Sequence, residues 1–238
     1  MMLQVCPNGP HRPGGHPHVP VTVDDIVDAV TAAVAAGAQE VHVHPKAPDG
    51  TDSLRPGHVD PVVQALRGRH PDLPIGVTTG AWAVQDPADR LEQVGGWTSR
   101  PAYASVNWHE EGADELADLL LDMGIGVEAG LWFVGAAEAF GRYPRAGECT
   151  RILIEGTRQD IGQAVAEVKA IASVVAGLGL PVLCHGEGAA TWPLFRLAVD
   201  AGFDSRIGLE DTFELPDGRM AASNADLVRA AVELMAQD

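Results

Sequence analysis

"TVDDIVDAVTAAVAAGAQEVHVHP", Thr22 to Pro45, holds a complete change of structural period. From Val23 to Ala36 the apolar residues recur at helical spacing. Thr22 stands before them with Asp25 three residues on, the pattern of a capping box. "AGAQ" closes the helix. "EVHVHP" then alternates residue by residue, the period of a β-strand. A helix that hands over directly to a strand is half of a βαβ unit, so the fold depends on how often this unit recurs.

It recurs from end to end. "LQVCP" (Leu3–Pro7) reads as the strand before this helix. "DPVVQALRGRH" reads as a helix with Asp60 as N-cap and Pro61 at its first position. "DPADRLEQV" repeats that start at Asp86. Further helices are expected over Gly112–Met123, Gly135–Phe140, Ile161–Leu178, Trp192–Ala201 and Asn224–Ala236. Between them lie the strands "PIGVTTG", "YASVNW", "GIGVEAGLW", "CTRILIEG", "PVLCHGEG" and "SRIGLED". Eight strand–helix units in 238 residues predict an α/β chain folded as a single-domain (β/α)8 TIM barrel over residues 1–238. An open doubly wound sheet is the runner-up. It wants a glycine-rich phosphate turn after the first strand, and "CPNGPHRPGG" is not GxGxxG.

Composition narrows the partners. A hydrophobic fraction of 46% with 21% charged residues suits a globular protein. No apolar run of membrane-spanning length stands out, and the N-terminus lacks the layout of a signal peptide. The formal charge of −17 repels nucleic acid, and no Lys/Arg stripe offsets it. Cys6, Cys149 and Cys184 are few and widely spaced, as expected of reduced thiols in a cytoplasmic protein.

In a barrel the chemistry sits at the C-terminal strand ends. The polar residues expected there are His42, His44, Thr78, Thr79, Ser105, Asn107, His109, Glu128, Glu155, His185, Glu187, Arg206, Glu210 and Asp211. His42 and His44, at i and i+2, share one face of their strand, while Val41 and Val43 take the other. Two imidazoles in a barrel mouth suit Zn²⁺ or a similar cation. Spacing alone leaves a hydrogen-bonded pair without metal as an equal reading. In "RIGLED" the residues Arg206, Gly208 and Glu210 share a face, with Asp211 at the edge. A solvated Glu-Asp turn is the plain alternative. The helix start "SNAD" offers backbone N–H groups that could hold an anion. His11, His16 and His18 read as a surface loop more readily than as a metal site, and His185 with Glu187 could form a second ligand pair.

These motifs resemble a known family, the β-keto acid cleavage enzymes, whose founding activity is 3-keto-5-aminohexanoate cleavage. "PVTVDDIVDAVTAAVAAGAQEVHVHPKAPDGTDSL" is similar to that family's segment in which Ala-Gly-Ala leads into HxH and then Asp-Gly. "SRIGLEDTFELPDGRMAASNADLVRAAVELM" is similar to its C-terminal Arg-x-Gly-x-Glu-Asp segment. "VTTG", "SVNW" and "VEAG" fit weaker motifs between them. The chain departs from the pattern at Pro45-Lys46, where the family carries Arg, and at "CHGEG".

The resemblance implies a divalent metal, usually zinc, held by His42, His44 and Glu210. It implies Asp211 as the catalytic carboxylate supported by Arg206, and Thr78, Ser105, Asn107 and Glu128 along the substrate. The reaction it implies joins a 3-keto acid to acetyl-CoA, giving acetoacetate and a new acyl-CoA, in a homo-oligomer (tetramer or dimer). A different metal-dependent lyase or hydrolase, or a non-catalytic metal-binding barrel, remains open. An amidohydrolase is disfavoured, because strands five and six carry Glu128 and Glu155 and no histidine.

Overall fold

A computed structural model describes residues 1–11, 14 and 16–237. Its strands are β1 (Leu3–Val5), β2 (Glu40–Val43), β3 (Ile75–Val77), β4 (Tyr103–Asn107), β5 (Gly126–Leu131), β6 (Arg151–Gly156), β7 (Val182–Gly186) and β8 (Ser205–Ile207). They form one parallel sheet in the order β7-β6-β5-β4-β3-β2-β1-β8. The Cys184 N–H donates to Asp204 O at 2.9 Å and the Ser205 hydroxyl to Cys184 O at 2.7 Å, drawing β7 and β8 together. The ring is the (β/α)8 barrel expected from the repeat.

The helices are α1 (Val23–Ala36), α2 (Pro56–Arg69), α3 (Pro87–Gly95), α4 (Ala113–Asp122), α5 (Val134–Phe140), α6 (Ile161–Val175), α7 (Thr191–Ala201) and α8 (Asn224–Met235). The capping box of α1 is present, with Thr22 and Asp25 exchanging hydrogen bonds at 3.1 Å. Asp86 caps α3 through the Ala88 and Asp89 N–H groups. α2 differs from the sequence expectation. It starts at Pro56, and Pro61 lies inside it. The Asp60 carboxylate is spent elsewhere, accepting from the Ser99 N–H at 3.0 Å and from Thr98. The Asp-Pro pair therefore marks a tertiary tie, not a helix start.

The segment 161–178 also differs from expectation, because by length and composition it is apolar enough to cross a membrane. In the barrel it is α6 and its 3₁₀ extension, and it buries Ala164, Val168, Ile171 and Val175.

Alternation along the strands divides the barrel into two environments. Val5, Val41, Val43, Val77, Val106, Val127, Ile152 and Ile154 are buried in the apolar layer under the helices. Most inward positions are polar, with Leu153 and Leu183 the apolar exceptions on β6 and β7. At the strand starts, Arg151 Nε donates to Glu128 Oε1 at 2.7 Å, and its Nη2 donates to Glu40. Gln4 Nε2 reaches Tyr103 Oη at 2.8 Å and Glu128 Oε1 at 3.2 Å, and Tyr103 Oη donates to Val41 O at 2.9 Å. The Arg151 guanidinium lies over the Tyr103 ring. Gly76 leaves room for that ring, since a Cβ there would stand 2.0 Å from it. Glu128, expected along the substrate, is fully buried in this floor network. Residue parity placed it inside the barrel correctly but said nothing of its depth.

Candidate metal centre and active site

β2 ends at Val43, and His44 continues it into the mouth. Its backbone is held there by Asn8, whose Oδ1 accepts from the His44 N–H at 3.0 Å and whose Nδ2 donates to His44 O at 2.8 Å. The imidazoles of His42 and His44 turn their Nε2 atoms toward each other at 3.3 Å. Glu210 Oε1 lies 3.4 Å from His44 Nε2.

Glu210 is not on a strand, as its sequence parity suggested. β8 stops at Ile207, and the N–H groups of Asp211 and Thr212 turn back to Gly208 O. Gly208 is pressed so closely on β1 that a Cβ would meet Cys6 O at 1.9 Å. The turn is tied down by Asn224, which accepts from the Leu209 N–H at 2.9 Å and donates to Pro7 O at 3.0 Å. It carries two carboxylates onto one buried guanidinium. Arg206 Nη2 donates to Glu210 Oε1 at 2.8 Å and to Asp211 Oδ1 at 3.2 Å.

The donor set fits a divalent cation. Ligand atoms of His42, His44 and Glu210 lie within 4.8 Å of one another, and this is the metal-capable cluster among the described residues. Two nitrogens each about 2.0–2.1 Å from a tetrahedral zinc stand about 3.3–3.4 Å apart, the separation seen here. Glu210 Oε2 is buried with no hydrogen-bond partner. Burial pushes His42 down to about 3, which keeps it the neutral imidazole that coordinates metal. Burial pulls His44 the same way, but Glu210 and Asp52 outweigh it and raise His44 to about 9. Burial alone would raise the Glu210 carboxyl, yet Arg206 and His44 hold it well below the usual range. The cluster is thus built to receive positive charge.

Beside it, Asp211 has a fully buried side chain whose Oδ2 has no partner. It lines a cavity of about 530 Å³ with His11, Glu187, Glu210, Phe213 and Glu214. His185 Nδ1 lies 3.1 Å from Asp211 Oδ1, and its Nε2 lies 3.5 Å from Glu155 Oε2. His185 therefore belongs with Asp211 and Glu155, and does not pair with Glu187 as a second ligand set. Burial, reinforced by Glu155, raises the Glu187 carboxyl to about 7.

The other expected residues fall in two groups. Ser105 and Asn107 occupy inward positions on β4 and Thr78 follows β3, all three buried. Asn107 Nδ2 donates to Glu110 Oε1 at 3.0 Å, and Thr78 Oγ1 accepts from the Gly80 N–H at 3.2 Å. At "SNAD" the helix start is capped by its own side chains, Ser223 accepting from the Asp226 N–H and Asp226 from the Ala222 N–H. His16 is a buried packing residue, stacked on Phe213 and bonded to Ala221 O at 3.1 Å. Asn8 and Asp52 escaped the sequence reading. Both lie on loops, where no periodicity marks a residue as inward.

Residues 1–237 match the family model described as beta-keto acid cleavage enzyme. The 3-keto-5-aminohexanoate cleavage enzyme of Fusobacterium nucleatum is 25% identical, the match covering 92% of this chain and 85% of that protein. The 3-oxoadipate:acetyl-CoA acetyltransferase of Cupriavidus necator is 28% identical, over 94% and 84% respectively. Among solved structures, the ternary complex of ObcA with a C4-CoA adduct and oxalate is similar in fold, with a TM-score of 0.73 at 15% identity. That match covers 91% of this chain and 63% of ObcA, so the chain spans less than two thirds of ObcA's length.

Proposed function

Because the chain belongs to the β-keto acid cleavage enzyme family, we propose that it cleaves a 3-keto acid with acetyl-CoA. The products are acetoacetate and the acyl-CoA of the remaining side chain. His42, His44 and Glu210 would hold a divalent cation, zinc by the nitrogen-rich donor set. The relatives from F. nucleatum and C. necator, by their names, support the keto acid and acetyl-CoA. The observation that carries the reading is the triangle of two Nε2 atoms and Glu210 Oε1 beside Asp211, a cavity-lining residue whose buried Oδ2 has no partner.

When bound, the cation supplies Lewis acidity that acidifies the C2 proton between the two carbonyl groups of the keto acid. Asp211 Oδ2 takes that proton as general base. Arg206 keeps Asp211 Oδ1 engaged, which leaves Oδ2 as the oxygen free to take a proton. The C2 carbanion attacks the thioester carbon of acetyl-CoA and expels CoA thiolate. The thiolate adds to the original keto carbon, and breaking its bond to C2 frees acetoacetate and leaves the acyl-CoA. Atoms balance without a further reactant, and the proton on Asp211 returns to product.

We place the enzyme in the cytoplasm as a homo-oligomer. The three cysteines are buried free thiols, consistent with a reducing compartment, and size-exclusion light scattering tests the assembly. The reaction is tested by incubating metal-loaded protein with a panel of 3-keto acids and acetyl-CoA, reading acetoacetate and acyl-CoA by mass. Formation of both supports the reading. Zinc binding with no turnover across a broad panel removes it.

A further inference from the structure

Asp52 lies two residues past the Asp-Gly pair, in the segment that follows HxH but in neither motif, yet it is a well-connected carboxylate beside the candidate centre. Its position follows from a small loop. After His44 the chain runs through Lys46, reverses over Ala47–Thr51, and comes back as Asp52. The Ala47 N–H donates to Thr51 O and the Gly50 N–H to Ala47 O, both at 2.8 Å, and Lys46 and Asp52 form an antiparallel bridge. Gly50 takes the positive φ of 82° that the reversal needs. The "DG" of "APDG" is thus a turn that returns a carboxylate to the histidine from which the loop departed.

Three donors converge on that carboxylate. His44 Nδ1 lies 2.7 Å from Asp52 Oδ2, Trp82 Nε1 donates to the same oxygen at 2.7 Å, and Lys46 Nζ donates to Oδ1 at 2.5 Å. Lys46 is itself fixed, donating to Gly9 O at 2.5 Å and His11 O at 3.2 Å. The Trp82 ring stacks on His44 with 5.9 Å between centroids and 10° between planes. A carboxylate that only braced the loop would need Lys46 and Trp82. The third partner fixes the imidazole. With Nδ1 committed as donor to Asp52, Nε2 is the nitrogen turned to His42 and Glu210, the one a cation would take in place of its proton.

Resting on the metal reading above, we infer that Asp52 is the positioning residue of the centre: it sets the tautomer and ring plane of His44, and Lys46 aims it. Lys46 thereby has a task. Its charge is spent inside the clamp and does not face substrate.

The test titrates metal-stripped wild type, Asp52→Ala, Asp52→Asn and Lys46→Met with Zn²⁺ against a chelating dye, and records the visible spectrum of the Co²⁺ forms. Loss of an outer partner of a metal-bound histidine weakens binding about 10–100-fold. Asp52→Ala is expected to fall in that range, with an altered Co²⁺ ligand-field band and an unchanged circular dichroism spectrum of the stripped protein. Asp52→Asn and Lys46→Met are expected to weaken binding less, in the same direction. They carry the test if Asp52→Ala does not fold. Tight binding by wild type with equal affinity and spectrum in the variants overturns the inference and leaves the metal reading standing. No binding by wild type overturns both.

Discussion

Arg206 Nη2 lies 2.8 Å from Glu210 Oε1 and 3.2 Å from Asp211 Oδ1, so one buried guanidinium is shared by two adjacent carboxylates. Removing it leaves both acids buried without their cation, at a cost of about 3–5 kcal/mol. A divalent ion on Glu210 would replace part of the lost charge. Arg206→Met is therefore expected to melt well below wild type without metal, and to gain more in Tm from added Zn²⁺ than wild type does. Equal gains in the two proteins, measured by calorimetry, would show that Arg206 and the metal do not share Glu210.

Asp211 shares the guanidinium with Glu210 but keeps a free buried oxygen. Asp211→Asn preserves shape and removes the base. Metal content is expected to stay at wild-type level while kcat falls roughly 10²–10⁴-fold, the usual range for a positioned general base. An unchanged kcat would move the proton transfer to another group, with Glu187 the first to examine.

Glu128 separates the floor from the mouth. It is fully buried against Arg151 and Gln4. Glu128→Gln breaks a buried pair and is expected to cost about 3–5 kcal/mol in denaturant unfolding, with KM for the keto acid unchanged. A raised KM at undiminished stability would return Glu128 to the substrate.

Glu187 gives a pH signature. Burial, with Glu155 adding to it, raises its carboxyl from 4.5 to about 7. Between those values the unfolded chain loses the proton and the folded chain keeps it, so stability falls as pH rises through the window. The penalty is absent below about pH 4.5 and complete above about pH 7. Glu187→Gln removes it. The variant should gain Tm over wild type at pH 8, on the order of 2–4 °C per kcal/mol relieved, and gain nothing at pH 4. An equal difference at both pH values would mean that Glu187 ionises freely in the folded protein.

How much of this was legible beforehand follows from what periodicity carries. Alternation in "EVHVHP" identifies which residues face inward, so His42 and His44 could be paired from sequence. "RIGLED" announced Arg206, Glu210 and Asp211. It suggested one strand face, whereas Gly208 breaks the strand and a turn gathers the acids. Depth along a barrel has no sequence period, which is why Glu128 was expected at the mouth. Asp52 lies eight residues from His44, and only the Gly50 reversal brings it back. Asp60-Pro61 imitates a helix start because a cap and a tertiary carboxylate use the same chemistry.

The charge of the cavity decides which keto acid side chains it accepts. Among the described residues, Glu187, Glu210, Asp211 and Glu214 line it, and no Lys or Arg does. A cation on His42, His44 and Glu210, together with Arg206, would offset Glu210 and Asp211, which leaves Glu187 and Glu214 as the uncompensated acids of the lining. A second carboxylate held about 4 Å from either costs about 1–4 kcal/mol as the local dielectric falls from water to a protein surface. The Cupriavidus necator relative is named for 3-oxoadipate, a dicarboxylate. This chain is expected to use 3-oxoadipate at a kcat/KM at least about 10-fold below that for 3-oxohexanoate, which has the same chain length and a neutral end. Glu187→Gln should narrow the gap. Comparable rates for the two acids in wild type would show that the side chain points away from this cavity.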